Sequence, residues 1–363
     1  MKATIQENQI FIAEQLSDVK GLYTIREVWP LDNKIDIHRL KNAFFKVVAN
    51  FSKLQTYFIL DDDAILQSKI ANIVPLWTAE DVFFDMETPP LLAAGIITKD
   101  GNFFFKLQFH HALMDGWSLG IFLKHLSENY NKNNSEILPI KLIDASVDYE
   151  NNLIQKPIDH KWLQYKFVNN YYLESHAHGI TFTIYDDKFR NILSTAKLFG
   201  VTLLPLLLYK IINFIQKYDD TENIELAIPF SCRNSSNFHQ FGMFVETQIF
   251  ELQLYKRLTA EQATKLIQRQ IFTLLQNSNP ISNYHGQPQI MVNFLELSHL
   301  ALKLDDVISF PDIVLPKNSL FDVTFEFRQK LNQLEVLLFH KYNALGAKQL
   351  FFYEEFKQHF LEG

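Results

Sequence analysis

The feature that most constrains this chain is the point where an apolar segment meets an amphipathic one, marked by two adjacent histidines. Residues 102–109 are largely apolar and aromatic, which predicts a buried strand. Residues 117–130 carry apolar side chains at helical spacing, namely Leu119, Phe122, Leu123 and Leu126. His110 and His111 therefore lie where a strand ends and a helix begins. One imidazole there can reach a substrate while the other packs inward.

The residue types in His110-His111-x-x-x-Asp115-Gly116 suit proton transfer. Imidazole, with an ordinary pKa of about 6.5, exchanges protons near neutral pH. Asp115 is expected to brace the turn through an ion pair, and Gly116 to permit a sharp turn without a Cβ clash. From the residues alone, a purely structural corner with His110 buried and His111 solvated is an equally good interpretation. A metal site is disfavoured, because adjacent histidines point to opposite sides of an extended chain.

Composition narrows the class of protein. The 363 residues suffice for two domains, and 47% hydrophobic residues with 33 phenylalanines indicate large buried cores. The net charge of −7 disfavours a nucleic-acid partner. The single cysteine, Cys232, excludes an internal disulfide. No apolar run reaches the ~18 residues of a membrane span, and there is no basic-then-apolar leader. We therefore expect a cytoplasmic protein with no membrane association.

The histidine turn resembles the HHxxxDG signature of the condensation domains of nonribosomal peptide synthetases, within the chloramphenicol acetyltransferase superfamily. Further segments are similar to motifs of that family in the same order: residues 5–11, 147–149, 231–234, 241–248 and 321–325. The segment at residues 50–56 departs from the family's RHExLRT pattern, since only Leu54 and Thr56 agree. Asn50, Phe51 and Gln55 replace its other characteristic residues, and Glu246 stands where the family has asparagine.

The resemblance implies a mixed α/β fold of two chloramphenicol acetyltransferase-like subdomains forming a V with a central channel. Residues 1–170 are expected to form the N-terminal subdomain, which contains the HHxxxDG turn, and residues 171–363 the C-terminal one. Residues 297–318 are expected to be an irregular latch that crosses back. Because no adenylation or carrier-protein sequence is present, a free-standing member is expected.

The resemblance also implies an activity. The chain is expected to join a carrier-protein-bound acyl or aminoacyl thioester to an amine acceptor, free or carrier-bound, in nonribosomal peptide or related secondary-metabolite biosynthesis. No permanently bound cofactor is expected, because the phosphopantetheine arm of the partner carrier protein brings the donor. A monomer is expected. By the family's pattern His111 is the catalytic histidine, His110 and Asp115 are a structural pair, and Gly116 forms the turn.

Two further expectations concern the surroundings of the turn. Because Gln55 stands where the family has an arginine, Asp115 is expected to find its cation in Arg233. The channel candidates are Trp117, Ser118, Met243 and Glu246, although Trp117 and Ser118 suit packing and helix initiation better.

Other functions remain open at this level. The runner-up is an acyl-CoA-dependent O- or N-acyltransferase of the same fold. A catalytically degenerate carrier-docking domain is the non-enzymatic alternative. The substitutions at Asn50, Gln55 and Glu246 favour degeneracy, whereas the intact histidine turn opposes it.

Overall fold

The computed structural model of the chain describes residues 1–17, 19–61, 64–70, 73–132, 165–168, 174–235, 237–253, 257–276 and 288–362. The chain divides into two compact units, each discontinuous in sequence. The first unit comprises Met1–Glu150, Ser231–Val245 and Leu297–Val314. The second comprises Asn151–Phe230, Glu246–Glu296 and Leu315–Gly363.

The described residues form seven α-helices and fourteen strands. Up to residue 132 they are α1 (Ile5–Gln15), β1 (Thr24–Leu31), α2 (Ile37–Asn50), β2 (Thr56–Asp61), β3 (Ala64–Lys69), β4 (Leu76–Trp77), β5 (Leu92–Lys99), β6 (Asn102–His110) and α3 (Gly116–Asn131). From residue 174 they are β7 (Glu174–Tyr185), α4 (Asp186–Phe199), α5 (Leu203–Tyr218), β8 (Asn223–Ser231), β9 (Val245–Gln253), α6 (Ala260–Gln276), β10 (Ile290–Glu296), β11 (Leu302–Leu304), β12 (Val307–Ser309), β13 (Val323–Lys330), β14 (Gln333–Tyr342) and α7 (Gln349–Glu362).

The four-stranded sheet of the first unit positions the histidine turn. Its strand order is β1-β6-β5-β4, with β6 antiparallel to both of its neighbours and β4 parallel to β5. The β5–β6 hairpin turns at Asp100 and Gly101, whose φ angles of 50° and 77° suit the right-handed twist of paired strands. The last residue of β6, His110, lies opposite Thr24 of β1. The interior strand therefore fixes where the histidines emerge.

Two amphipathic helices pack in the first unit. Asp36 caps α2, because its side chain accepts the Arg39 N–H at 3.0 Å. The apolar face of α2 meets that of α3, where the Phe44 and Phe122 rings lie 6.2 Å apart, edge to face. Since α3 begins directly after Asp115, this packing also holds the turn that precedes α3.

The close approach of α3 to residue 299 gives a testable prediction about packing. A Cβ atom at Gly120 would lie 2.9 Å from both the carbonyl oxygen and Cδ2 of His299. We therefore expect Gly120→Ala to lower the free energy of unfolding by about 1–3 kcal/mol, as overpacking does elsewhere. The measurement is urea denaturation. Gly116→Ala on the same helix is the matched control, because a Cβ there meets nothing within 4 Å. Equal stability of the two variants would contradict the packing argument.

The second unit is built on a six-stranded mixed sheet of order β7-β14-β13-β10-β8-β9. Strand β10 is parallel to β13 and β8, whereas β14 is antiparallel to β13 and β7. Helices α4 to α7 form one apolar core with this sheet, and the core includes Phe189, Leu207, Ile267, Phe325 and Phe356. Mixed sheets with helices occur in both units, so the mixed α/β class predicted from the sequence is confirmed.

Within the described part of the chain, no single helix has the length and apolar composition needed to cross a membrane. Helices α4 and α5 meet that test only as a pair, bent by 104° at the break between them.

The segment expected to be an irregular latch is more regular than predicted. It begins with a 3-10 helix, Leu297–Leu300, and continues into the β11–β12 hairpin, which turns at Asp305 with φ of 50°. Strands of three residues are too short for alternation to reveal them. Residues 297–314 pack in the first unit, as do residues 231–245 from the second half of the sequence. The units are therefore not two continuous halves. The boundary expected near residue 170 and the motif at residues 147–149 lie outside the described residues.

Candidate active site

Both ring nitrogens of His110, the last residue of β6, form hydrogen bonds. It is fully buried, with 0% of its surface exposed. The backbone N–H of Ala112 donates to Nδ1 at 3.2 Å, so Nδ1 carries no proton. In the neutral ring the proton is therefore on Nε2, which donates to Glu14 Oε2 at 3.0 Å. The ring is thus built into the turn and does not face a ligand.

His111, by contrast, is fixed through one ring nitrogen. It opens the 3-10 helix His111–Leu113, and its backbone N–H donates to the Tyr23 carbonyl oxygen at 2.9 Å. Its Nδ1 lies 3.1 Å from the Met114 carbonyl oxygen. Because a carbonyl oxygen only accepts, Nδ1 carries a proton and the neutral ring has its lone pair on Nε2. None of the described residues bonds that nitrogen. Nε2 of this half-buried residue is a base available to a ligand.

Burial also sets the charge state of this imidazole. Desolvation lowers the pKa of His111 below its ordinary value of 6.5. The hydrogen bond to Met114 and the nearby Asp115 carboxylate act in the opposite direction but are the smaller effects, and His110 adds to the lowering. The neutral form is therefore the dominant form at neutral pH, as a general base requires.

The Asp115 carboxylate ties α3 to residues 233 and 244. It caps α3 by accepting the Ser118 N–H at 2.8 Å, and it accepts the Phe244 N–H at 3.1 Å. Arg233 Nη2 donates to its two oxygens at 2.9 and 3.0 Å. The Arg233 and Asp115 side chains are only 4% and 0% exposed, and both belong to the first unit. The ion pair expected from the sequence is therefore present.

Ser118 completes this network. Its hydroxyl group donates to the Gly242 carbonyl oxygen at 2.8 Å. It accepts from the Gly242 N–H at 3.0 Å and from Arg233 Nη2 at 2.8 Å. Ser118 is fully buried, with 0% exposure. The packing role that the sequence favoured for Ser118 fits this network, because a buried hydroxyl with three partners has no capacity left for a substrate.

Sequence comparison finds known proteins that are similar to this chain. Residues 71–156 match the family model of the condensation domain. Bacitracin synthase 1 of Bacillus licheniformis is 25% identical over 264 residues, which is 62% of this chain and 5% of that protein. Bacitracin synthase 2 of the same organism is 21% identical over 361 residues, which is 89% of this chain and 13% of that protein. The chain thus spans a small part of the length of these relatives.

Structure comparison extends the likeness to nearly the whole chain. The first condensation domain of the calcium-dependent antibiotic synthetase, solved with a substrate analogue, has a TM-score of 0.79 at 14% identity and covers 99% of this chain and 95% of its own. The resemblance to condensation domains is confirmed. A variant of the starter condensation domain of rhizomide synthetase, in complex with C8-CoA and Leu-SNAC, has a TM-score of 0.77 at 13% identity, with coverage of 99% and 94%.

The structure corrects the role expected for the glycine of the condensation motif. Gly116 is the first residue of α3, its φ is not in the left-handed region, and a Cβ would meet nothing within 4 Å. Glycine is therefore not needed at this position to avoid a steric clash, because the chain enters α3 from an extended Asp115 and a Cβ atom at residue 116 would have room. As the first helical N–H donor, the Gly116 N–H has no partner within α3.

The remaining channel candidates are placed in different surroundings. The Trp117 Nε1–H donates to the Phe238 carbonyl oxygen at 3.0 Å, and the two rings lie 4.4 Å apart. Met243 is 7% exposed in the first unit, whereas Glu246 is 8% exposed in the second. Glu246 Oε2 accepts from Gln248 Nε2 at 3.3 Å. A channel role for Trp117, Met243 and Glu246 stays a prediction.

Two side-chain contacts, one at the turn and one at the end of α2, were not anticipated from the sequence. Glu14, on α1, is the partner of His110, and no motif or spacing connects it to the histidines. Gln55, which stands where condensation domains carry an arginine, donates to the Ala49 carbonyl oxygen at 2.9 Å at the end of α2. The departure from the family's arginine segment is therefore accommodated locally, and the cation beside Asp115 comes from Arg233.

Proposed function

We propose that this chain forms an amide bond between an acyl thioester and an amine, with His111 as the general base. The observation that carries the proposal is the state of one ring: Nδ1–H is fixed on the Met114 carbonyl oxygen, and Nε2 has no bonding partner among the described residues. The likeness to synthetase condensation domains supports amide formation as the reaction.

The chemistry balances without a covalent enzyme intermediate. The amine nitrogen attacks the thioester carbonyl carbon, so that a C–N bond forms and the C–S bond breaks. His111 Nε2 accepts the proton that the amine nitrogen loses and returns it to the departing sulfur, which leaves as a thiol. The N–H of Gly116, at the positive end of α3, is suited to stabilise the oxyanion of the tetrahedral intermediate. Holding both reactants within about 3–3.5 Å supplies much of the rate.

The donor we propose is a phosphopantetheine thioester on a carrier protein, because the resemblance to the condensation domains of nonribosomal peptide synthetases implies such a donor. The acceptor is an amine, free or carrier-bound. In this proposal the phosphopantetheine arm belongs to the carrier protein and is substrate, and the chain itself needs no resident cofactor.

A donor comparison tests the proposal. The purified chain is incubated with a set of free amino acids as acceptors. One acyl group is supplied as a thioester, either of a phosphopantetheinyl carrier protein or of coenzyme A. We expect the amide product, detected by mass spectrometry, together with release of the carrier thiol in equal amount. Thiol release without an amide would show hydrolysis and overturn the proposal.

A second candidate is acyl transfer from coenzyme A to an amine or a hydroxyl group. It is favoured by one observation, namely that a neighbour with the same fold was solved with C8-CoA. The same donor comparison separates the two functions. Equal or faster turnover of the coenzyme A thioester would favour this second candidate, whereas turnover of the carrier-bound thioester alone favours the first.

The lowered pKa of His111 predicts the pH dependence of the reaction. The base must be neutral to accept a proton. With a pKa below 6.5, His111 stays neutral in more acidic solution than an ordinary histidine does. We therefore expect kcat/KM to fall on the acid side with a midpoint below 6.5. The measurement is a pH profile of kcat/KM, repeated with amines of different basicity. A fall whose midpoint changes with the basicity of the amine belongs to the substrate and not to His111. If the fall that belongs to the enzyme had a midpoint above 6.5, burial would not be what sets the pKa of His111.

A further inference from the structure

We propose that Glu14 is a positioning residue for His111. Its carboxylate fixes the tautomer of His110 and, through it, the turn from which the His111 ring projects. The consequence for turnover rests on the proposed function. The consequence for the imidazole protons does not, and it can be measured on the protein alone.

The contact itself is well enclosed. Glu14 Oε2 lies 3.0 Å from His110 Nε2, and the two side chains are 14% and 0% exposed. Among the described residues, Glu14 is the only hydrogen-bond partner of that nitrogen. Without it, a buried N–H would have no acceptor, which is unfavourable. The carboxylate is therefore what makes an Nε2–H proton favourable at this position.

The tautomer matters because the other ring nitrogen serves the turn. His110 Nδ1 accepts the N–H of Ala112, the second residue of the 3-10 helix His111–Leu113. If the His110 proton moved to Nδ1, this bond would be replaced by two N–H groups facing each other. The same turn contains the bond from His111 Nδ1–H to the Met114 carbonyl oxygen, and Nε2 of that ring has no partner among the described residues. Glu14 thus acts on His111 through two successive hydrogen bonds, without contacting a reactant.

Helix α1 is anchored independently of Glu14, which makes the contact testable. Thr4 and Glu7 form a capping box at its start, with bonds of 2.8 and 3.3 Å between their side chains and backbone N–H groups. Glu7, only 1% exposed, also pairs with the buried Lys53. A change at Glu14 therefore leaves the helix attached at its other end.

The experiment follows the imidazole nitrogens by long-range ¹H–¹⁵N NMR of histidine-labelled protein, with His110 and His111 assigned by substitution. In the wild-type protein we expect the Nε2–H form of His110 and the Nδ1–H form of His111. In Glu14→Ala we expect His110 to lose the pure Nε2–H form and His111 to lose part of its Nδ1–H form. Glu14→Gln keeps an acceptor oxygen at the same reach and should retain the wild-type spectrum.

A second arm measures turnover of the carrier-bound thioester. We expect kcat of Glu14→Ala to fall by up to about 100-fold, as for a small displacement of a catalytic group, with KM nearly unchanged. Glu14→Gln should restore most of the rate. Gln15→Ala is the matched control on the same helix, because among the described residues the Gln15 side chain bonds only Glu87, in an exposed contact of 3.3 Å. It should change neither the spectrum nor the rate.

The NMR arm decides the proposal by itself. A folded Glu14→Ala with unchanged His110 and His111 spectra would overturn it, as would an Nδ1–H form of His110 in the wild-type protein. If Glu14→Ala does not fold, Glu14→Asp replaces it, because aspartate keeps the charge but is one methylene too short. If Glu14→Asp retained the wild-type His110 and His111 spectra while Glu14→Gln lost them, the effect would be one of charge. That result would refute the positioning role. Absence of turnover in the wild-type protein would count against the proposed function alone.

Discussion

Replacing His111 by alanine is expected to abolish amide formation while leaving the fold intact. The imidazole is the only group of the turn with a free basic nitrogen among the described residues. Removing a general base costs about 10²–10⁴-fold in rate, and no other side chain of the turn can replace it, since His110 uses both of its ring nitrogens. The measurement is amide formation at saturating donor and amine.

The fold of this variant is checked by thermal denaturation, where the loss of one hydrogen bond to Met114 should cost about 1 kcal/mol. His178→Ala is the matched control. His178 is exposed, belongs to the second unit and packs on Tyr342 with ring centroids 5.0 Å apart. It should turn over at the wild-type rate. Near-wild-type turnover by His111→Ala would rule out general-base catalysis at this turn.

Replacing Arg233 by methionine is expected to have the largest effect on stability. The substitution leaves Asp115 buried with two backbone N–H partners but no cation, and breaking a buried ion pair in this way costs about 3–5 kcal/mol. It also removes a donor to Ser118 Oγ, so the contact with residue 242 should weaken. Urea denaturation measures the loss, and turnover should fall with it because Asp115 caps the helix that follows the histidine turn.

A double-mutant cycle separates charge from packing in this pair. Asp115→Asn combined with Arg233→Met should be more stable than Arg233→Met alone, because the uncompensated charge is gone. Arg190→Met provides the control for an exposed pair, since Arg190 and Asp187 are 71% and 87% exposed. It should change stability by less than about 1 kcal/mol. Equal losses for Arg190→Met and Arg233→Met would contradict the structural role assigned to Arg233.

Much of the fold was predictable because apolar spacing determines which face of each element is buried. The strand over residues 102–109 and the apolar face of residues 117–130 were both predicted, and β6 and α3 form there. The Arg233–Asp115 pair was predicted because glutamine replaces an arginine at position 55. A buried carboxylate needs a cation, and the resemblance indicated that the usual one was missing at Gln55.

The remaining features depend on contacts that no local pattern encodes. Glu14 reaches His110 from an element distant in sequence, and a glutamate near the end of an amphipathic helix is normally read as solvated. Gly116 was assigned a sharp turn from its residue type, but glycine only permits positive φ and does not require it. Glycine at position 120 had no evident role until the approach of His299 was known.

The central claim concerns one nitrogen: that His111 is a neutral imidazole at pH 7 with its proton on Nδ1 and a free lone pair on Nε2. A ¹⁵N NMR titration of His111 in the wild-type protein tests it most directly. We expect the Nδ1–H form at neutral pH and protonation of Nε2 only below the ordinary value of 6.5. An Nε2–H form, or a ring that is already cationic at pH 7, would contradict the account.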